Sequence, residues 1–141
     1  MNITQKLSSR LDLVPEFISS LIKCLQEAMP LNEDDVFTLR LILEESLTNA
    51  IRHGNKLNPN LTVDVAINLH DNRLTIDIKD QGQGFDFHNV PNPTTADKLL
   101  KTSGRGVFLI KKLVDQVSFY DAGSGIKMIK VLNKSNDAEK I

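Results

Sequence analysis

Three groups of residues in this 141-residue chain have types and spacings that suit chemistry. Glu45 and Asn49 lie four apart in the run from Leu41 to Gly54, so on a helix both project from one face, with Arg52 one turn beyond. Asp80 is followed by Gly82 and Gly84, and Gly104, Arg105 and Gly106 precede an apolar-periodic stretch. Helix entry through Gly-Arg-Gly leaves backbone N–H groups and a positive dipole end free for phosphate oxygens, and Arg105 adds charge there. Glycines at 82 and 84 let a flat ring or a phosphate approach the backbone, because no Cβ intervenes. A ring amine would then satisfy Asp80. Each group also has a plain structural reading: a wet helix face for the first and turns for the other two.

These groups need elements to position them. Opposite Glu45, the residues Val36, Leu39, Leu43, Leu47 and Ala50 form the apolar stripe of a helix resting on a sheet. Asn32 ahead of Glu33, Asp34 and Asp35 predicts the start of that helix, which runs to about Gly54-Asn55. Before it, Ile3 to Leu11 alternates weakly, as a partly exposed strand does. Val14, Phe17, Ile18, Leu21, Ile22, Leu25 and Met29 then recur at helical spacing from Pro15 until Pro30. After it, Leu61 to Leu69 and Leu74 to Asp80 alternate on either side of His70-Asp71-Asn72, which predicts an antiparallel hairpin. Leu74, Ile76 and Ile78 share the buried face, so parity turns Asp80 toward it. A carboxylate there is costly unless a protein donor or a ligand meets it, and the sequence leaves both open. Residues 86–103 are polar, carry Pro91 and Pro93 and read as a lid. A helix with Val107, Ile110, Leu113 and Val114 follows, then a hairpin of Val117–Tyr120 and Ile126–Leu132 and a polar tail from Ser135.

The length suits one domain, 1–141, with its N-terminal strand and helix over about 1–30. A net charge of -1 gives no general attraction to nucleic acid or anionic lipid. No stretch approaches the roughly 18 apolar residues of a membrane span, and the single cysteine, Cys24, reads as a buried small hydrophobe in a reducing cytosol. The expected protein is cytoplasmic and soluble.

No stretch has the glycine-lysine spacing of a P-loop, and a dinucleotide fingerprint fails because Phe87 and Leu109 stand where a third glycine belongs. The eukaryotic-type kinase set is missing as well. Taken together and in order, Glu45-x-x-x-Asn49, Asp80-x-Gly82-x-Gly84-Phe85 and Gly104-Arg105-Gly106 resemble the N, G1 and G2 boxes of the GHKL ATP-binding superfamily. Within it, the short lid and the stretches around Glu45–Gly54 and Gly104–Ile110 look most like the stand-alone anti-sigma factor serine/threonine-protein kinases of bacterial partner switching. The resemblance covers nearly the whole chain. It implies a histidine-kinase-like ATPase fold: an α/β two-layer sandwich with a mostly antiparallel mixed sheet and helices on one face.

The resemblance also implies roles. Asn49 would hold Mg²⁺ and Glu45 would be the general base. Asp80 would accept the adenine amine, with Gly82 and Gly84 lining base and sugar. Gly104, Arg105 and Gly106 would wrap the phosphates of ATP, and Phe85 and Val107 would also bind the cofactor. His53 would contact nucleotide or serve as a structural helix-end histidine, and Arg52 is equally open. By the same resemblance, the protein phosphorylates a serine on a STAS-type anti-sigma factor antagonist, sequesters a sigma factor, and forms a homodimer through its N-terminal strand, with no direct contact to nucleic acid or membrane. The first helix departs from the sporulation-type kinases in offering only Lys23 as a basic residue. Two other readings stand beside this one: a nucleotide-dependent binding regulator without phosphotransfer, and a histidine-kinase-type catalytic domain.

Overall fold

The computed structural model describes residues 1–82 and 106–133. Strand β1 spans Asn2–Ser8 and ends earlier than its alternation suggests, because Leu11–Leu13 turns into a short 3-10 segment leading into helix α1, Val14–Ala28. Helix α2 spans Glu33–Asn49 and continues through a wider turn, Ala50–Gly54. Strands β2 (Thr62–His70) and β3 (Arg73–Lys79) form the expected hairpin, closed by Asp71 in the left-handed region at φ 55°. Helix α3 covers 106–113, and β4 (Gln116–Tyr120) and β5 (Gly125–Val131) complete the chain as described.

The strands lie in the order β1-β2-β3-β5-β4, and every neighbouring pair is antiparallel. One sheet face carries Val63, Val65, Ile67, Leu74, Ile76, Ile78 and Met128, all of them buried. Against that face lie Leu39, Ile42, Leu43 and Leu47 of α2, each fully buried, and the stripe Ile18, Leu21, Ile22 and Leu25 of α1. The two-layer arrangement follows directly, since a period of two on the strands and 3.6 on the helices leaves each element one apolar face to cover. The stripe on α2 is wider than the spacing predicted: Ile42 and Ser46 join it, while Val36 is only half-buried.

Cys24 corrects an expectation, for it is exposed. On α1 it is turned just beyond Phe17, the half-buried edge of the stripe, so the helix repeat carries it to solvent. Asn32 caps α2 as the sequence indicates, its side-chain oxygen accepting the Asp35 N–H at 2.7 Å. The Asp35 carboxylate in turn accepts the Asn133 N–H at 2.5 Å, fastening the start of α2 to the end of β5. Asn32→Ala should lower stability by about 1 kcal/mol. The urea midpoint should fall with the slope of the transition unchanged.

Candidate functional site

Past Asn49 the helix widens into a π-type turn, with the Asn55 N–H reaching back to the Ala50 carbonyl at 2.8 Å. A π turn advances fewer degrees per residue than an α turn, and such turns recur at functional sites. Gly54, which ends this turn, lies against the Asp80 carboxylate at the end of β3. Arg52 groups with Arg40, Glu44 and Thr48, each four residues apart, beside Leu11, Val14 and Ile18, and does not line the cleft with Asn49.

On the inner side a cleft opens between α2, the end of β3, α3 and the β4–β5 turn. Ile78, Val107, Ile110, Phe119 and Ile126 give it an apolar interior, and Asn49, His53 and Asp80 bring polar groups to it. An apolar slot with a few convergent polar groups is how sites for flat heterocycles are built. Asp80 is 6% exposed, as strand parity required. Its Oδ1 accepts the Gly82 N–H at 2.8 Å, and its own N–H donates to the Ser124 carbonyl at 2.9 Å. Burial holds the carboxyl above its ordinary range, outweighing the Gly82 hydrogen bond and the Lys79 charge that favour ionisation. Among the described residues Gly82 is the one donor to the Asp80 carboxylate, and Oδ2 is then suited to accept from a ligand amine.

The backbone approach around Asp80 is close enough to require glycine twice. A Cβ on Gly54 would lie 2.2 Å from Asp80 Oδ2, and one on Gly82 would lie 2.0 Å from the Gly54 carbonyl oxygen. The sequence singled out Gly82 and overlooked Gly54. Its position one residue after His53, closing the helix, was the available signal. Gly123 and Ser124 of the β4–β5 turn, together with Phe119, were also missed as lining residues. No helical or alternating period marks a turn that reaches a site only through the fold.

Glu45 and Asn49 meet at the start of α3. A Cβ on Gly106 would be 2.6 Å from Glu45 Oε2 and 3.0 Å from Asn49 Nδ2, so both side chains press on the N-terminal end of that helix. Desolvation raises the Glu45 pKa, and the neighbouring Glu44 charge raises it further. His53 is shifted down, first by desolvation and then by Arg52 and Lys56, which keeps its imidazole neutral at pH 7. The structure therefore gathers Glu45, Asn49, His53, Asp80, Gly82, Gly106 and Val107 around one region. Gly84, Phe85, Gly104, Arg105, the lid at 86–103 and the tail from Ser135 lie outside the described residues.

Residues 7–130 match the family profile of the histidine kinase-like ATPase domain. The chain belongs to that family. The chain is 33% identical to a serine-protein kinase RsbW of Staphylococcus epidermidis over 119 residues, 77% of this chain and 75% of that protein. A serine-protein kinase RsbW of Bacillus licheniformis is 28% identical over 130 residues, 85% of this chain and 81% of that protein. One from Staphylococcus aureus strain JH9 is 29% identical over 119 residues. ATP is thus the ligand class for which the cleft is to be judged.

The raised pKa of Asp80 fixes a sign. A carboxyl whose folded pKa exceeds its unfolded one stabilises the fold below the unfolded value of 3.8, and that contribution is lost as pH rises through the folded value. Asp80→Asn removes this cost while keeping an oxygen for the Gly82 N–H. The variant should melt no lower than the natural chain at pH 7, with any advantage vanishing on acidification to pH 3.8, and it should lose ATP binding. A thermal melt series across pH beside calorimetric titration with ATP checks both halves.

Proposed function

We propose that this chain is an ATP-dependent protein serine/threonine kinase that also acts as an anti-sigma factor. It phosphorylates a serine on a STAS-type anti-sigma factor antagonist, and it sequesters a sigma factor when that antagonist is phosphorylated. Residues 1–141 act as one domain in this reading, which works in the cytoplasm and pairs as a homodimer. Among the described residues no helix is long and apolar enough to cross a membrane. The observation that carries the proposal is the convergence of Glu45 and Asn49 on Gly106 at the N-terminus of α3. Curated relatives that are serine-protein kinases support the choice of serine as acceptor.

Each group then has work suited to its surroundings. Adenine enters the apolar slot and donates its amine to Asp80, with Gly82 and Gly54 leaving room at the backbone. Gly84 lines base and sugar, Gly104, Arg105 and Gly106 hold the phosphates at the helix end, and Phe85 and Val107 also contact the nucleotide, Val107 from the apolar slot. His53, neutral at pH 7, contacts the nucleotide. The Asn49 carboxamide suits Mg²⁺, a hard cation that keeps several waters and takes few protein ligands. That ion supplies charge neutralisation to the phosphates.

Glu45 takes the proton from the incoming serine hydroxyl as the new bond from serine oxygen to phosphorus forms and the bridging bond to ADP breaks. Its raised pKa serves this task, because a base is most useful when its pKa approaches the working pH. Phosphotransfer carries little covalent burden for the protein, so orientation of Glu45 against the helix end is the main contribution of this face.

Glu45→Gln preserves the size of the side chain and removes the base. Transfer of label from γ-labelled ATP to the purified antagonist should fall by about 10² to 10⁴, with calorimetric ATP affinity unchanged. Unchanged transfer would remove Glu45 as base, and no transfer by the natural sequence would favour a nucleotide-dependent binding module. Acid-labile label would point to phosphohistidine. In the natural enzyme the rate should decline on acidification at a pH above the ordinary carboxylate range, following protonation of Glu45.

A further inference from the structure

Asn55 is not among the residues lining the cleft, yet it is 1% exposed and every polar atom of its side chain is engaged. Its Nδ2 donates to Ser9 Oγ at 2.6 Å and to the Thr62 carbonyl at 3.0 Å, while its Oδ1 accepts the Gln81 N–H at 2.7 Å. Two donors and one acceptor on a short stem are what a carboxamide offers; Asp lacks the donors, and Ser cannot reach in three directions. The residue joins the end of the widened helix, the exit of β1, the entry of β2 and the loop that carries Asp80.

The bond to Gln81 has the clearest consequence for binding. Gln81 sits between Asp80 and Gly82, the two residues whose carboxylate and N–H close on each other at 2.8 Å. Its side-chain oxygen is held by the Thr62 N–H at 2.7 Å, so the loop is anchored at Gln81 from both sides. The same loop rests on the helix end, where Gly54 and Gly82 meet backbone to backbone.

We infer that Asn55 is a positioning residue for nucleotide binding: through the Gln81 N–H it presets the Asp80–Gly82 loop against Gly54 before ligand arrives. This inference rests on the reading of the cleft as a nucleotide site. Without the tie, the loop must be ordered at the moment of binding, and that cost is read as lost affinity. A residue that merely supports the fold would instead reduce the fraction of competent molecules and leave the affinity of the folded ones alone.

The test is calorimetric titration of the full chain with MgADP, well below the melting temperature of each variant, reading affinity and site number separately. Asn55→Ala should weaken binding about tenfold with the site number near that of the natural chain. Ser9→Ala leaves Asn55 bonded to Gln81 and Thr62, so it should lower the melting temperature and keep affinity within about twofold. Asn55→Asp retains the acceptor for Gln81 and should stay within about threefold. If Asn55→Ala does not fold, Asn55→Ser, whose hydroxyl is too short to reach the Gln81 N–H, should show the loss of about tenfold in its place, and natural affinity there overturns the inference. Natural affinity in Asn55→Ala, or a tenfold loss in Asn55→Asp or Ser9→Ala, overturns the inference. A natural chain that does not bind MgADP at all overturns the nucleotide-site reading itself, and the inference with it.

Discussion

The site depends on one close approach: the backbone at Gly54, where α2 ends, lies directly against the loop that leaves β3 at Asp80. A Cβ at either Gly54 or Gly82 would come within about 2.2 Å of an atom across that contact, and real Cβ atoms do not sit so close. Helix layer and sheet layer meet here with only the Asp80 carboxylate and the Gly82 backbone against Gly54. That is how a buried carboxylate on a strand end and a carboxamide on a helix come to face one cleft. The π turn at Ala50–Gly54 supplies the reach, since a regular α turn would carry Gly54 to a different angle. Elsewhere the layers are separated by interlocked leucine and isoleucine side chains, which fix their spacing.

The far wall of the cleft is held electrostatically. Lys79, immediately before Asp80, reaches the Asp121 carboxylate at 2.8 Å and the Ser124 hydroxyl at 3.1 Å. The turn it grips carries three successive residues in the left-handed region, Asp121, Ala122 and Gly123, at φ 51°, 58° and 91°. Such a turn is expensive for Asp and Ala and persists because its surroundings hold it. Tyr120 adds to that hold by donating its hydroxyl to Asp77, and burial first, then this bond, raises its pKa. Strain at the β4–β5 turn, desolvation of Asp80 and desolvation of Glu45 are all costs to the folded state. Each falls on the cleft, which is where a protein spends stability for function.

Much of this was legible in the sequence because it follows from period and punctuation. The parity of Leu74, Ile76 and Ile78 correctly turned Asp80 inward, and Asn32 with its acidic successors marked the start of α2 to the residue. The two-layer architecture followed from the same patterns. What was not legible came from geometry that no period encodes. Arg52 groups with Arg40, Glu44 and Thr48 in steps of four, a line equally open in the sequence, and nothing in Ala50–Gly54 announces a π turn. Cys24 sits one step outside an apolar stripe whose edge spacing alone does not locate. Gly54, Ser124 and Asn55 matter through residues distant in the chain, Asp80, Lys79 and Gln81, and such pairings exist only once the sheet has formed.

The central claim is that the buried Asp80 carboxylate accepts the exocyclic amine of adenine. The most direct measurement compares the affinities of ADP and inosine diphosphate, which differ in placing an amine or a carbonyl at that position of the ring. A carboxylate facing the amine gains a hydrogen bond, whereas facing the carbonyl it is left desolvated and unpaired, so ADP should bind tighter by about 10² or more. In Asp80→Asn, which loses adenine-nucleotide binding, ADP should bind no tighter than inosine diphosphate. Equal affinity of the natural chain for the two nucleotides would contradict the account at its centre.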